Sequence, residues 1–430
     1  MRNIAFRFGV VKFLSGPQVA GKDLKRQKVA AHVQRFYLVI FKVETPHPNE
    51  ARKRIMIRPR QAIEVLKKYR PPQEGRGGKM RLDFNENTVG CPPQVIRALR
   101  RALDPEMMTR YPEYDEGRKT LAAYFRVKPE EMILANGTDD ALKMVCDTFV
   151  DPGDTLLVPA PTFPVYEFFN SVAGGKTMRI RYDEKFRLPT DEFVKTLKKE
   201  KVRWVALANP NNPTGTQIPK TALKAILEAA PDTVVLVDEA YQDFSGQTIL
   251  PWIRKYPNLI VTRTFSKAFG LAALRIGCLF ANPKLIDPLQ RGQNPFAVNS
   301  LALMCACVAI QHEAQVRKYA QMVRANRVAF CRWLEAHGIP YVPSSANFVL
   351  TRLGEHSPEI AQKLRAKKIL VRDWSYDPHL KGYLRFTIGS QAQTRRLMAE
   401  LHRLRELIQR PDGARAWKNM VEYNSTGWVS

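Results

Sequence analysis

Between positions 133 and 281, short apolar runs alternate with longer helical patterns, and each run gives way to a cluster of polar residues or glycine. The runs are 133–135, 155–158, 204–208, 234–237, 259–261 and 278–281. Few architectures accept such an alternation. Strand-length segments separated by helix-length ones build a mostly parallel sheet with helices on its faces, and ligands of such sheets gather at the carboxyl ends of the strands. The clusters at those ends are Gly137-Thr138-Asp139, Pro159-Ala160-Pro161 with Tyr166 in the helix that follows, the run 209–215 around Asn212, Asp238-Glu239-Ala240-Tyr241, and Thr264-Phe265-Ser266-Lys267. All of them are expected on one rim of one sheet.

The rest of the chain fits around this unit. A large domain is expected over 81–300, and a long helical stretch from about 296 to 337 should bridge out of it. Strands at 346–351, 369–371 and 383–387 alternate with helices at 358–366 and 391–408, so 301–410 reads as the bridging helix plus a smaller α+β domain. Residues 51–80 read as an N-terminal helix, over 60–68, and a Gly/Pro/Arg-rich linker. Residues 1–50 read as a basic extension outside the fold, poorly ordered, and 411–430 as a polar tail.

Charge narrows the function classes only partly. The formal charge is +27, and residues 1–60 hold fourteen Lys/Arg against three Asp/Glu. The remaining excess is spread over helical faces, which favours solvated charge over a nucleic-acid groove. A regulator that uses this basic end to grip DNA needs two well-patterned helices there, and residues 1–60 lack them. No run reaches the roughly 18 apolar residues of a membrane span. Cys91, Cys146, Cys278, Cys305, Cys307 and Cys331 lack metal-ligand spacing, so no metal site is expected; free thiols in a reducing compartment, the cytoplasm, are.

Lys267 carries the most chemistry. It sits just past a strand, flanked by Thr264 and Ser266, with Arg275 eight residues on. A buried amine loses its proton readily, and a neutral amine forms Schiff bases. Hydroxyls, the amides of Thr138 and Asp139 at a helix start, and a guanidinium are a phosphate cradle. An imine-forming lysine beside such a cradle points to pyridoxal phosphate.

Asn209-Pro210-Asn211-Asn212-Pro213-Thr214-Gly215, Asp238-x-x-Tyr241, Ser266-Lys267 and Arg275, in this order and spacing, resemble the fold-type I pyridoxal phosphate enzymes of the aspartate aminotransferase superfamily. Leu82-Asp83-Phe84-Asn85-Glu86-Asn87, Arg110-Tyr111-Pro112 and Val371-Arg372-Asp373 bring the chain nearest the histidinol-phosphate aminotransferases within it, over roughly residues 80–405. The resemblance implies an amino group moved from L-histidinol phosphate to 2-oxoglutarate, a small-molecule amino donor and a 2-oxo acid as partners, and a homodimer with shared sites. It implies that Lys267 binds the cofactor and shuttles the substrate proton, that Asp238 pairs with the pyridinium nitrogen, and that Tyr241 and Asn212 bond the ring's phenolic oxygen. Tyr166 would stack on the ring. Thr138, Asp139, Thr264, Ser266 and Arg275 would hold its phosphate, helped by Tyr111 from the neighbouring subunit. Arg385 would take the substrate carboxylate, Arg372 the substrate phosphate, and Asn87 would join them. Two positions depart from the family: Thr88-Val89 stand where a Pro-Tyr pair is usual, and Ala273 where glycine is. The first favours the closest alternative, an aromatic amino acid aminotransferase; threonine-phosphate decarboxylase shares the scaffold.

Overall fold

The computed structural model describes residues 57–66 and 75–408. The expected extension 1–50 and tail 411–430 lie outside these, as do 51–56 and 67–74 of the helix-and-linker segment. Within the described part of that segment the helix is a single turn, Gln61–Glu64.

Twelve strands follow in chain order: β1 (Met80–Leu82), β2 (Met132–Ala135), β3 (Thr155–Ala160), β4 (Lys176–Arg181), β5 (Trp204–Ala208), β6 (Val234–Asp238), β7 (Leu259–Thr264), β8 (Gly277–Ala281), β9 (Tyr341–Val342), β10 (Phe348–Arg352), β11 (Ile369–Asp373) and β12 (Tyr383–Thr387). Seven of them form one sheet in the order β2-β8-β7-β6-β5-β3-β4. From β4 through β7 neighbouring strands are parallel; β8 runs against both β7 and β2. The central strands β5, β6 and β7 are buried at every position, which is why each opens on a continuous apolar run. Successive side chains point to opposite faces. Trp204, Ala206 and Ala208 pack with Ala141, Leu142 and Val145 of helix Gly137–Phe149, while Val205 and Leu207 pack with Leu223 and Ile226 of helix Lys220–Ala229.

The edge strand β4 and the helix Thr190–Lys199 carry no prediction from the sequence. In β4 only Ile180 is buried, and three of its residues are basic, so it shows no apolar run to read.

The second sheet has the order β1-β11-β12-β10-β9. Its first strand corrects the expected boundary at 81: Met80, Arg81 and Leu82 pair in parallel with Ile369, Leu370 and Val371. The chain therefore joins the smaller sheet at β1 and then crosses to the larger one through 83–87. The bridging stretch is also two helices, Ser300–Gln311 and Glu313–Ala336, broken at His312, whose φ of −112° and ψ of 28° leave the helical region.

Parallel strands end on the same side. The carboxyl ends of β3, β5, β6 and β7 share one rim, the end of β2 joins them, and the antiparallel β8 brings its start, with Arg275 and Gly277, to that same edge. Two glycines let the rim close up. Gly137 has φ +77°, and a Cβ there would meet Arg275 Nη2 at 2.5 Å; one on Gly277 would stand 3.0 Å from the Thr138 nitrogen.

Candidate active site

A cavity of about 490 Å³ opens at this rim, between the two sheets. It is lined by every residue singled out from the sequence except Tyr111 and Asn87. A larger cavity, about 670 Å³, surrounds Arg263, Asp243 and Arg324 and holds none of these groups. The smaller one carries the chemistry.

One end is built for an anion. Helix Gly137–Phe149 starts there, presenting the amides of Thr138 and Asp139. Arg275, in the left-handed region with φ 53°, puts Nη1 3.4 Å from Ser266 Oγ and Nη2 3.0 Å from Asp139 Oδ2. Thr264 Oγ1 accepts from the Ser266 amide at 3.1 Å, which folds the loop so that both hydroxyl residues face the cavity.

Asp238 closes the floor. Its Oδ1 accepts from Thr262 Oγ1 at 3.0 Å and the Ala240 amide at 3.1 Å; Oδ2 accepts from Tyr166 Oη at 2.9 Å. Burial pushes its carboxyl above the usual range, and the Tyr166, Thr262 and Ala240 donors pull it back. Tyr166, expected to stack on the ring, is fully buried with its hydroxyl on Asp238; the neighbouring Phe163, set edge-on to it at 5.6 Å, is a second, half-buried aromatic lining the cavity.

Lys267 Nζ donates to the Phe84 carbonyl at 3.0 Å and lies 5.8 Å from the Tyr241 ring centre. Burial, seconded by the Arg385 charge, brings the amine down from 10.5 to about 8, against the opposing pull of Asp139 and Glu86. The neutral amine is the nucleophile and the ammonium is not. Loading of cofactor-free protein with pyridoxal phosphate should therefore speed up as pH rises and level off just above about 8. Stopped-flow absorbance from about pH 6 to about pH 10 measures this; a rate still climbing through pH ~10 would mean an ordinary surface lysine.

Arg385 is buried, at 4% exposure. Its Nη2 donates to the Asp83 carbonyl at 2.6 Å, Nη1 donates to Asn212 Oδ1, and its Nε has no partner among the described residues. Burial lowers its pKa to about 10, which leaves it charged at neutral pH. Arg372 is its cross-strand partner, on β11 opposite β12. No ion pair with Asp373 forms among the described residues; Arg372 lies over Tyr376 at 5.7 Å and Trp374 at 6.0 Å, and Asp373 accepts from the Ser375 amide. Two guanidiniums thus share one wall.

Asn87 is corrected as well. Its Nδ2 donates to the Ala268 carbonyl at 3.0 Å, and its Oδ1 accepts from the Val89 and Gly90 amides at 2.9 Å each, so it staples two loops and does not line the cavity. Asn85, two residues earlier, lines it instead and donates to Tyr241 Oη at 2.9 Å. Both belong to the same Asn-Glu-Asn motif. Alternation cannot choose between them, because Asn85 has φ 56° and breaks the extended pattern. Tyr111 is 76% exposed and stacks on Phe296 at 4.4 Å, outside the cavity.

The residues fit pyridoxal phosphate. They supply an anion cradle into which a Cβ on Gly137 would intrude, a buried carboxylate, a phenol, and an amine of lowered pKa, all facing one space.

Comparison with known proteins agrees. The family described as Aminotransferase class I and II matches residues 77–401. Histidinol-phosphate aminotransferase of Ruminiclostridium cellulolyticum is 34% identical over 330 residues, covering 75% of this chain and 92% of that one. The enzyme of the same name from Moorella thermoacetica is 35% identical over 373 residues, covering 80% and 92%. Among solved structures, histidinol-phosphate aminotransferase from Sinorhizobium meliloti in complex with pyridoxal-5'-phosphate superposes with a TM-score of 0.74 at 25% identity, covering 82% of this chain and 97% of that one.

Proposed function

The chain belongs to the class I and II aminotransferases, enzymes that work with pyridoxal phosphate, and on that premise we propose that it transfers the amino group of L-histidinol phosphate to 2-oxoglutarate. The products are imidazole acetol phosphate and L-glutamate. The observation that carries the substrate choice is the cross-strand pair Arg372 and Arg385, both lining the cavity and facing the same indole. Histidinol phosphate has no α-carboxylate; its phosphate hangs one carbon beyond Cα. The acceptor 2-oxoglutarate has a carboxylate in that direction. Two guanidiniums beside Trp374 suit both: a dianionic phosphate would engage the pair, and a carboxylate would be held by Arg385.

Bound pyridoxal phosphate supplies an electron sink conjugated to the carbon that loses its proton. The chain supplies the rest. Lys267 would hold the cofactor and would then serve as the base for the substrate Cα proton. Asp238 would offer a carboxylate to the ring nitrogen. Thr138, Asp139, Ser266 and Arg275 would hold the phosphate, and Asn212 and Tyr241 would serve the phenolic oxygen.

The aromatic reading keeps one observation of its own: Trp374 and Tyr376 stack at 5.4 Å beside Arg372, and the exposed Val89 offers no hydroxyl to a polar donor. Arg372→Ala separates the two. It should lower kcat/KM for histidinol phosphate about 10- to 100-fold and leave phenylalanine within a few-fold. Equal losses on both would count against a phosphate-reading Arg372.

The same proposal takes Tyr111 as a group lent to a second copy of the chain. Tyr111, Phe296 and Met108 form an exposed apolar patch, which supports a subunit contact there and a homodimer with shared sites. Among the described residues no helix is long and apolar enough to cross a membrane, and the substrates are small soluble metabolites, which supports the cytoplasm as its compartment.

A further inference from the structure

The crossing segment 83–87 holds a chain of hydrogen bonds that runs in one direction. Asn85 is buried, and its backbone N–H donates to Thr387 Oγ1 at 3.1 Å. Thr387 in turn donates its hydroxyl proton to Asn85 Oδ1, also at 3.1 Å. The oxygen of the Asn85 amide is thereby fixed toward Thr387. Its nitrogen must then face Tyr241 and donate to Oη, 2.9 Å away. Tyr241 is left as an acceptor in that bond, and its own proton has to point elsewhere. The hydroxyl lies at the cavity wall, so the direction left to it is the cavity. The Asn347 amide nitrogen donates to the Asn85 carbonyl at 3.0 Å and locks the segment from the side of the smaller sheet.

We propose that Asn85 is a positioning residue that turns the Tyr241 proton toward the phenolic oxygen of the bound ring, and that Thr387 ties this orientation to β12, the strand that carries Arg385. The inference rests on the pyridoxal phosphate reading. Cofactor tuning and substrate anchoring would then share one strand: Thr387 and Arg385 lie two residues apart, on the same side of β12.

A hydrogen bond to the phenolic oxygen favours the form in which that oxygen is negative, so its loss moves the pH midpoint of the bound cofactor's visible band upward. The test is a spectrophotometric titration of pyridoxal phosphate-loaded protein. Asn85→Leu, close in size and uncharged, should raise the midpoint by about one pH unit. Tyr241→Phe should raise it at least as far, and the double variant no further than Tyr241→Phe alone. The other charged groups near Tyr241, namely Arg385, Asp238, Asp139 and Lys267, are the same in all three. An unchanged midpoint in Asn85→Leu, or shifts that add in the double variant, would overturn the proposal. Should Asn85→Leu fail to fold, Thr387→Val serves: it frees the amide to turn over and should give a smaller shift of the same sign, whereas no shift would overturn the proposal. If the wild type itself shows no band after loading, the cofactor reading falls and this inference with it.

Discussion

Replacing Lys267 with alanine should abolish the visible band of the loaded protein and lower the transamination rate by roughly 10⁴-fold or more, since on the proposed reading one amine provides both the covalent attachment and the proton transfer. The fold should survive. Lys267 Nζ makes a single hydrogen bond, to the Phe84 carbonyl, and burial already weakens its charged form, so removing it relieves a desolvation cost. Thermal unfolding of cofactor-free Lys267→Ala should therefore match or exceed the wild type at neutral pH. The sign follows from the lowered pKa: the folded state disfavours the ammonium, so the wild-type lysine costs stability below the unfolded value near 10.5, most of all below about 8. A variant that keeps the band, or keeps activity within ten-fold (about 1.4 kcal/mol of barrier), would remove Lys267 from the chemistry.

Asp238→Asn should cost about 10²–10³-fold in kcat while leaving KM for the amino donor within a few-fold. The carboxylate touches no substrate-anchoring arginine; its partners are Tyr166, Thr262 and the Ala240 amide. Three donors converging on one buried acid favour its ionised form against the burial that disfavours it. An amide in its place has no charge to set against a ring nitrogen, and its NH₂ group faces hydroxyls arranged to donate. A loss confined to KM, or a kcat within three-fold of wild type (about 0.7 kcal/mol), would reduce Asp238 to a cap on the end of β6.

The sheet and its rim were legible in the sequence for a physical reason. Strands buried on both faces, such as β5 and β6, must be apolar throughout, so the polar residues that follow them stand out. That is how Asp238, Asn212 and Lys267 were found. Where a residue's role depends on which way one side chain turns, the pattern was mute. The sequence suggests Tyr166 for stacking, because an aromatic near a ring site does so, but carries no sign that its hydroxyl bonds Asp238. That Asn85 lines the cavity and Asn87 does not depends on a left-handed residue inside an extended segment, which nothing in Asn-Glu-Asn announces. The start of the smaller sheet was missed for another reason. Met80–Leu82 finds its partner nearly 290 residues away, at Ile369–Val371, and local periodicity carries no trace of so distant a pairing.

The central claim is that a single lysine, facing Asp238 across the rim, holds the cofactor. Borohydride reduction of the pyridoxal phosphate-loaded protein, followed by peptide mapping, tests it directly. The account predicts one phosphopyridoxyl group per chain, on the peptide containing Lys267, and none on that peptide once Lys267→Ala is introduced. Label on another lysine of the wild type, or no label at all, would contradict it.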